Sequence, residues 1–126
     1  MDVTPLVPNG LQVIDSYGPG LFRVAGELWR SSIIVMPERT CLWAAQSITD
    51  LSVDDISEVT DADPAIEILL IGCGERMEMV LAPFKQACRA RGVGVDTMDT
   101  GAACRTYNVL MAEGRRVAAA LLPLKA

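Results

Sequence analysis

The first third of the chain consists of short apolar stretches separated by turn residues, which is the pattern of an antiparallel β-meander. Residues 17–20 have the composition of a turn, and residues 26–27 that of a hairpin turn. Residues 33–36 are wholly apolar and are expected to form a buried strand that Pro37 ends. The predicted strands are 11–16, 21–25, 28–30, 33–36 and 41–45.

From residue 65 onward, buried strands alternate with helices. Pro83 in a first turn and the glycines at 92 and 114 delimit two of these helices. A shorter helix is expected after Ser52, because Ser-x-x-Asp is a helix start. The β-α-β-α-β order predicts parallel strands with right-handed crossovers, and therefore the α/β class. The predicted strands are 65–71, 93–97 and 116–122, and the helices are 82–91 and 101–113.

Residues 99–122 carry the most detailed pattern. Ala103, Tyr107, Leu110 and Met111 are spaced as one stripe of a helix, which is expected to press on the sheet. The strand that follows is apolar on both alternating faces, so we expect it to be central and covered on both sides. The chain as a whole is expected to have a loose arm over 1–10 and a single domain over 11–124.

Composition excludes several classes of function. The net charge of −5 argues against nucleic acid as the main partner, and no apolar run approaches the roughly 20 residues that span a bilayer. Residues 1–74 carry a net charge of −8 and residues 75–126 a net charge of +3. This asymmetry indicates either an ordinary solvated surface or a dipolar molecule that self-associates or docks on a charged partner.

The chain contains no histidine, and its four cysteines are widely spaced. A zinc site and a histidine-based catalytic set are therefore excluded, and we predict no metal, no cofactor and no catalytic residue. The first residues lack the basic and apolar regions of a signal peptide. We therefore expect a cytoplasmic protein with reduced cysteines, with a mature organelle protein as the alternative.

Ligands of open α/β sheets bind beyond the carboxyl ends of the parallel strands, where the turns 72–74 and 98–101 are expected to meet. A helical residue one turn further on can lean toward the same crevice. The candidate pocket consists of Gly72, Cys73, Gly74, Asp99, Thr100, Arg105 and Asn108.

Most of these residues also have a purely structural interpretation. The two glycines suit a phosphate-binding loop, but a plain tight turn is favoured because a third glycine and a lysine are missing. Asp99 is more simply a helix cap or an ion-pair partner than a functional acid. Arg105 and Asn108 can satisfy buried carbonyl groups, contact a partner or bind a small anion. Cys104 can be a reactive thiol, although a buried cysteine is commoner.

The stretch 98–110, continuing into 113–121, resembles the signature of a family of small α/β domains of unknown function. That family includes mitochondrial respiratory complex I assembly factor 3 and the adipogenesis-associated domain-containing protein, and 14–20, 30–36 and 69–74 are similar to it as well. The resemblance implies a three-layer domain with a mixed central sheet. It also implies a role in protein–protein interaction during complex assembly, with no catalytic residues to carry over.

Two functions follow as hypotheses. The favoured one is a non-enzymatic interaction or assembly module with protein partners and a possible homo-oligomeric state. The alternative is a protein or enzyme that binds a small molecule or anion in the crevice at the strand ends. A thiol-based redox role is a minor third hypothesis.

Overall fold

The computed structural model describes residues 10–126, so the predicted arm lies outside the described residues except for Gly10. Within these residues, eight strands and three α-helices follow one another. The strands are β1 (Ile14–Gly18), β2 (Leu21–Val24), β3 (Glu27–Trp29), β4 (Ile33–Val35), β5 (Thr40–Leu42), β6 (Ile68–Gly72), β7 (Gly94–Met98) and β8 (Val117–Leu121). The helices are α1 (Ser57–Thr60), preceded by a 3-10 turn (Val53–Ile56), α2 (Ala82–Ala90) and α3 (Thr100–Ala112).

A five-stranded mixed sheet in the order β5-β4-β8-β6-β7 forms the centre of the molecule. β6 pairs in parallel with both β7 and β8, which confirms the predicted β-α-β-α-β unit. β4 joins the other edge of β8 in antiparallel register, with Ile34 opposite Ala120. β8 is therefore the middle strand, and all five of its residues are buried, as its two apolar faces predict.

The central sheet is covered on both faces, which gives the three-layer architecture. On one face α2, α1 and the 3-10 turn enclose a core that contains Trp43, Ile71 and Phe84. On the other face α3 and a small antiparallel sheet, β1-β2-β3, enclose a second core around Phe22 and Tyr107. The predicted meander is thus limited to β1–β3, because β4 and β5 complete the central sheet instead.

Several element boundaries differ from the sequence prediction because strand pairing extends or shortens them. Tyr17 belongs to β1 rather than to a turn, since it pairs with Phe22. The hairpin turn lies one residue earlier than predicted, at 25–26, because Glu27 already pairs with Val24. β6 begins at Ile68 rather than at 65, where its pairing with β7 and β8 starts. None of the helices in residues 10–126 is long and apolar enough to cross a bilayer.

Candidate functional site

The carboxyl ends of β6 and β7 are the place where a ligand crevice is expected, because the chain leaves them toward opposite faces of the sheet. Thr100, the first residue of α3, fills this place and is fully buried. Its hydroxyl accepts a hydrogen bond from the Gly74 amide at 2.8 Å and donates one to the Leu122 carbonyl at 2.6 Å. The Thr100 amide donates to the Gly74 carbonyl at 2.9 Å. The crevice between the two strand ends is therefore closed by one threonine.

Gly72 packs directly against this threonine at the end of β6. A Cβ atom at Gly72 would lie 2.9 Å from Leu121 Cδ2 and 3.0 Å from Thr100 Cα, closer than carbon atoms normally approach. A side chain at this position would therefore push β8 and α3 away from β6. The close approach of the three elements accounts for glycine here.

Asp99 caps α3 in the manner that the sequence analysis favoured. Its backbone is extended, and its Oδ1 accepts a hydrogen bond from the Ala102 amide at 2.9 Å. Arg105 does not pair with this carboxylate; its Nη1 donates instead to the Tyr17 hydroxyl at 2.8 Å. Gly101 leaves room for that contact, because a Cβ there would lie 2.6 Å from the Tyr17 hydroxyl oxygen. Tyr17 thus lies across the first turn of α3.

The side chain of Asn108 joins α3 to β1 through a pair of hydrogen bonds. Its Nδ2 donates to the Ile14 carbonyl at 2.8 Å, and its Oδ1 accepts from the Ile14 amide at 2.9 Å. One residue earlier, the Tyr107 hydroxyl donates to the Gln12 carbonyl at 2.8 Å. α3 therefore provides hydrogen-bond partners for the Gln12 carbonyl and for both backbone groups of Ile14, on the edge of β1 that does not pair with β2.

The predicted pocket residues line two different cavities. Cys73 and Gly74 line a cavity of about 360 Å³ between the ends of β6 and β8 and the loop after β5. Arg105 and Asn108 line a cavity of about 290 Å³ beneath β1. Gly72, Asp99 and Thr100 line neither of them. The two cavities are separate because α3 and its cap occupy the space in which a common crevice was expected.

The polar residues that complete the two cavities were not predicted from the sequence. Their partners come from distant parts of the chain, and single residues such as Ser32 or Asp15 carry no local signal. The larger cavity is also lined by Ser32, Gln46, Ser47, Glu75, Glu78 and Lys125, and the smaller one by Asp15, Ser16 and Tyr17.

The cysteines near these cavities are buried and hold their protons. Burial raises the pKa of Cys104 to about 12, although the neighbouring Arg105 acts in the opposite direction. Burial likewise raises the pKa of Cys73. Both thiols are neutral at pH 7, so they lack the thiolate that nucleophilic or redox chemistry requires. All four cysteines of the chain are free.

Arg116, at the opposite end of the sheet, forms the strongest polar cluster. Its guanidinium contacts both carboxylate oxygens of Glu38, at 2.7 and 2.9 Å. It also donates to the carbonyls of Pro64 and Ala65. Arg116 is therefore engaged by groups of the fold itself.

The model of a family described as "Protein of unknown function (DUF498/DUF598)" matches residues 14–122. The chain belongs to this family. A relative from Rhodobacter capsulatus, named as an uncharacterized protein, is 36% identical over 91% of this chain and 87% of its own length. A Bartonella henselae protein, described as an outer membrane protein, has a crystal structure that matches with a TM-score of 0.83 at 38% identity, over 92% of this chain and 98% of that one.

A eukaryotic relative carries a functional name. NADH dehydrogenase [ubiquinone] 1 alpha subcomplex assembly factor 3 of Danio rerio is 37% identical over 88% of this chain, which covers 64% of the fish protein. The chain therefore spans less than two thirds of that assembly factor. The DUF498 domain of this chain is similar to the part of the factor that it covers, and the earlier resemblance is confirmed.

Proposed function

We propose that this protein is a non-enzymatic interaction module that acts in the manner of an assembly factor. The observation that carries the proposal is the state of the strand-end groups. The Thr100 hydroxyl and the Asp99 carboxylate, the two polar side chains expected at the strand ends, are each engaged in hydrogen bonds within the molecule. Hydrogen bonds that hold the fold together in this way favour a structural role for both groups over a catalytic one.

The name of the fish relative supports a link to the assembly of respiratory complex I. We infer that this chain contacts one or more protein partners during such assembly. The identity of those partners and any homo-oligomeric state belong to the proposal. We also propose a cytoplasmic location, because four free cysteines suit a reducing compartment.

Affinity purification of the tagged chain from its native cells tests the interaction role. We expect recovery of a stoichiometric protein partner, and a strain that lacks the gene should accumulate an incomplete membrane complex on native gels. Cells that express the tag alone are the control. Repeated recovery of the chain by itself, together with normal complex levels in the deletion strain, would contradict the proposal.

Fractionation of the same cells tests the cytoplasmic location, and light scattering of the purified chain tests the oligomeric state.

A second candidate function is binding of a small anion, and it rests on the cavity beneath β1. Arg105 lines this cavity of about 290 Å³, and no carboxylate of the described residues lies within 4 Å of its guanidinium. Tyr17 and Asn108 add polar atoms to the lining. A cation that is held in place by a tyrosine and has no anionic partner can receive a carboxylate or phosphate group.

Thermal denaturation in the presence of a panel of carboxylates and phosphates tests this second function. Binding should raise the melting temperature, and Arg105→Ala should abolish the rise. Arg115→Ala removes an exposed cation elsewhere and serves as the matched control. If no compound in the panel shifts the melting temperature, or if Arg105→Ala leaves the shift intact, this function is wrong.

A further inference from the structure

The segment that leads from β6 into α2 exposes three large apolar side chains in a row. Met77, Met79 and Leu81 are 54%, 72% and 59% exposed, whereas Val80 between the last two is 7% exposed. The three side chains lie within five consecutive residues, and Glu78 between the first two is exposed as well. This row has no covering element among the described residues.

The helix that follows this segment is basic. Residues 82–91 contain three basic side chains and no acidic one in a chain whose net charge is −5, whereas residues 75–81 contain Glu75, Arg76 and Glu78. Lys85 and Arg89 are four residues apart and so lie on neighbouring positions of α2. Leu81 immediately precedes the helix, so about 12 Å of helix axis separates it from Arg89. We call Met77, Met79, Leu81, Lys85 and Arg89 the α2 surface.

The cations of the α2 surface have no ionic partner in the part of the chain that the structure describes. In residues 10–126 the one ion pair within 4 Å is that of Arg116 and Glu38, at the other end of the sheet. Asp54 and Asp55 lie in the 3-10 turn that packs near α2, and Asp96 lies on β7, yet none of them pairs with Lys85 or Arg89. The charge of this surface is therefore left for a molecule outside the chain.

Resting on the proposed function, we propose that the α2 surface binds an amphipathic segment of a protein partner whose apolar side chains are flanked by Asp and Glu. The apolar row supplies the area that such a segment buries, and the two cations fix its register and exclude basic partners. A protein is favoured over an anionic membrane because the chain as a whole carries a net charge of −5, which opposes its approach to an anionic bilayer.

Site-specific photocrosslinking in native cells tests the location. A benzophenone amino acid replaces Met79, and in a matched control it replaces Val109, which is 59% exposed on α3. We expect a crosslink from position 79 and not from position 109, and the crosslinked peptide should contain apolar residues flanked by Asp and Glu. A crosslink to lipid, to a second copy of this chain or to a basic peptide, or no crosslink from position 79, overturns the inference.

A charge-exchange experiment tests the chemistry with the crosslinked segment as a synthetic peptide. Lys85→Glu with Arg89→Glu should weaken binding roughly tenfold or more, and a peptide with its acidic residues replaced by lysine should recover affinity for that variant. Arg115→Glu is the matched control and should leave the affinity unchanged. Equal affinities for parent and variant overturn the inference.

The two proposals can fail separately. If position 109 or another surface position crosslinks to a partner while position 79 does not, the interaction role stands and the α2 surface is wrong. If neither position crosslinks and affinity purification recovers the chain alone, the interaction role itself fails.

Discussion

The two crossover helices of the parallel unit lie on opposite faces of one sheet, yet they use their residues in opposite ways. α3 buries six of its residues, Thr100, Gly101, Ala103, Cys104, Tyr107 and Met111. α2 buries only Phe84 and Cys88, and it presents Lys85 and Arg89 without carboxylate partners. The polar side chains of α3 hold other elements in place, whereas those of α2 are not engaged by the fold.

This difference shows that a distinctive sequence segment need not be the functional surface. Residues 99–122 carry the longest signature, and packing explains nearly all of it: a cap, a close approach, a pair of interlayer hydrogen bonds and a central strand. Residues 76–91 are less distinctive, but Met77 and Met79 are exposed, and neither Lys85 nor Arg89 has an ionic partner among residues 10–126. Variants whose effects on stability and on binding can be measured separately test this difference between the two helices.

The largest effect is expected from Thr100→Val, which removes the hydroxyl but keeps the shape of the side chain. The Gly74 amide and the Leu122 carbonyl lose this buried partner, so the free energy of unfolding should fall by about 2–4 kcal/mol. Urea denaturation measures the loss. Thr100→Ser keeps the hydroxyl and should retain most of the stability. A larger loss in Thr100→Ser than in Thr100→Val would show that the methyl group, not the hydroxyl, matters more here.

The next effect is expected from Asn108→Leu, which leaves both backbone groups of Ile14 without their α3 partner. We expect a loss of about 1–3 kcal/mol and faster amide hydrogen exchange at Ile14. The adjacent Val109→Ala, at an exposed position, is the control and should change stability little. Unchanged stability in Asn108→Leu would assign this amide to a partner or ligand instead of the fold.

A smaller effect concerns the pH dependence of stability through Cys104. Burial raises the pKa of this thiol from 9.0 to about 12, so above pH 9 the unfolded chain loses a proton that the folded chain keeps. The free energy of unfolding should therefore decrease by about 1 kcal/mol between pH 8 and pH 10 from this thiol. Cys104→Ala should show a correspondingly shallower decline than the parent. Parallel pH profiles for parent and variant would contradict the burial of this thiol.

The smallest effect is expected in α2. Lys85→Glu combined with Arg89→Glu should change the free energy of unfolding by less than about 0.5 kcal/mol, because neither cation has an ionic partner among the described residues 10–126. Arg116→Glu is the contrasting variant and should destabilise clearly, since that guanidinium binds Glu38 and two carbonyls. A large loss from the α2 variant would mean that this surface serves the fold.

The sequence predictions are accurate where the residues that decide a feature lie close together in the sequence. The start and end of α3 are predicted to within one residue, because Asp99 and Gly114 mark them within the segment itself. The position of β8 in the middle of the sheet follows from its two apolar faces. The shared crevice is not present between the strand ends, because Thr100 fills that place. Its hydrogen-bond partners, Leu122 and Gly74, are 22 and 26 residues away along the chain, so the local sequence did not predict them. Arg105 was expected to face that crevice, but its partner Tyr17 lies 88 residues away.

By itself, the sequence determined the class of the fold, the order of its elements, the three parallel strands and the absence of histidine chemistry. Periodicity, caps and composition encode these properties within a few residues of each other. The tertiary structure alone decided that β4 and β5 complete the central sheet, that Thr100 closes the strand-end crevice, and that the exposed apolar row lies beside unpaired cations. Those properties depend on which distant groups come into contact in the folded chain, and a local sequence pattern does not encode such long-range contacts.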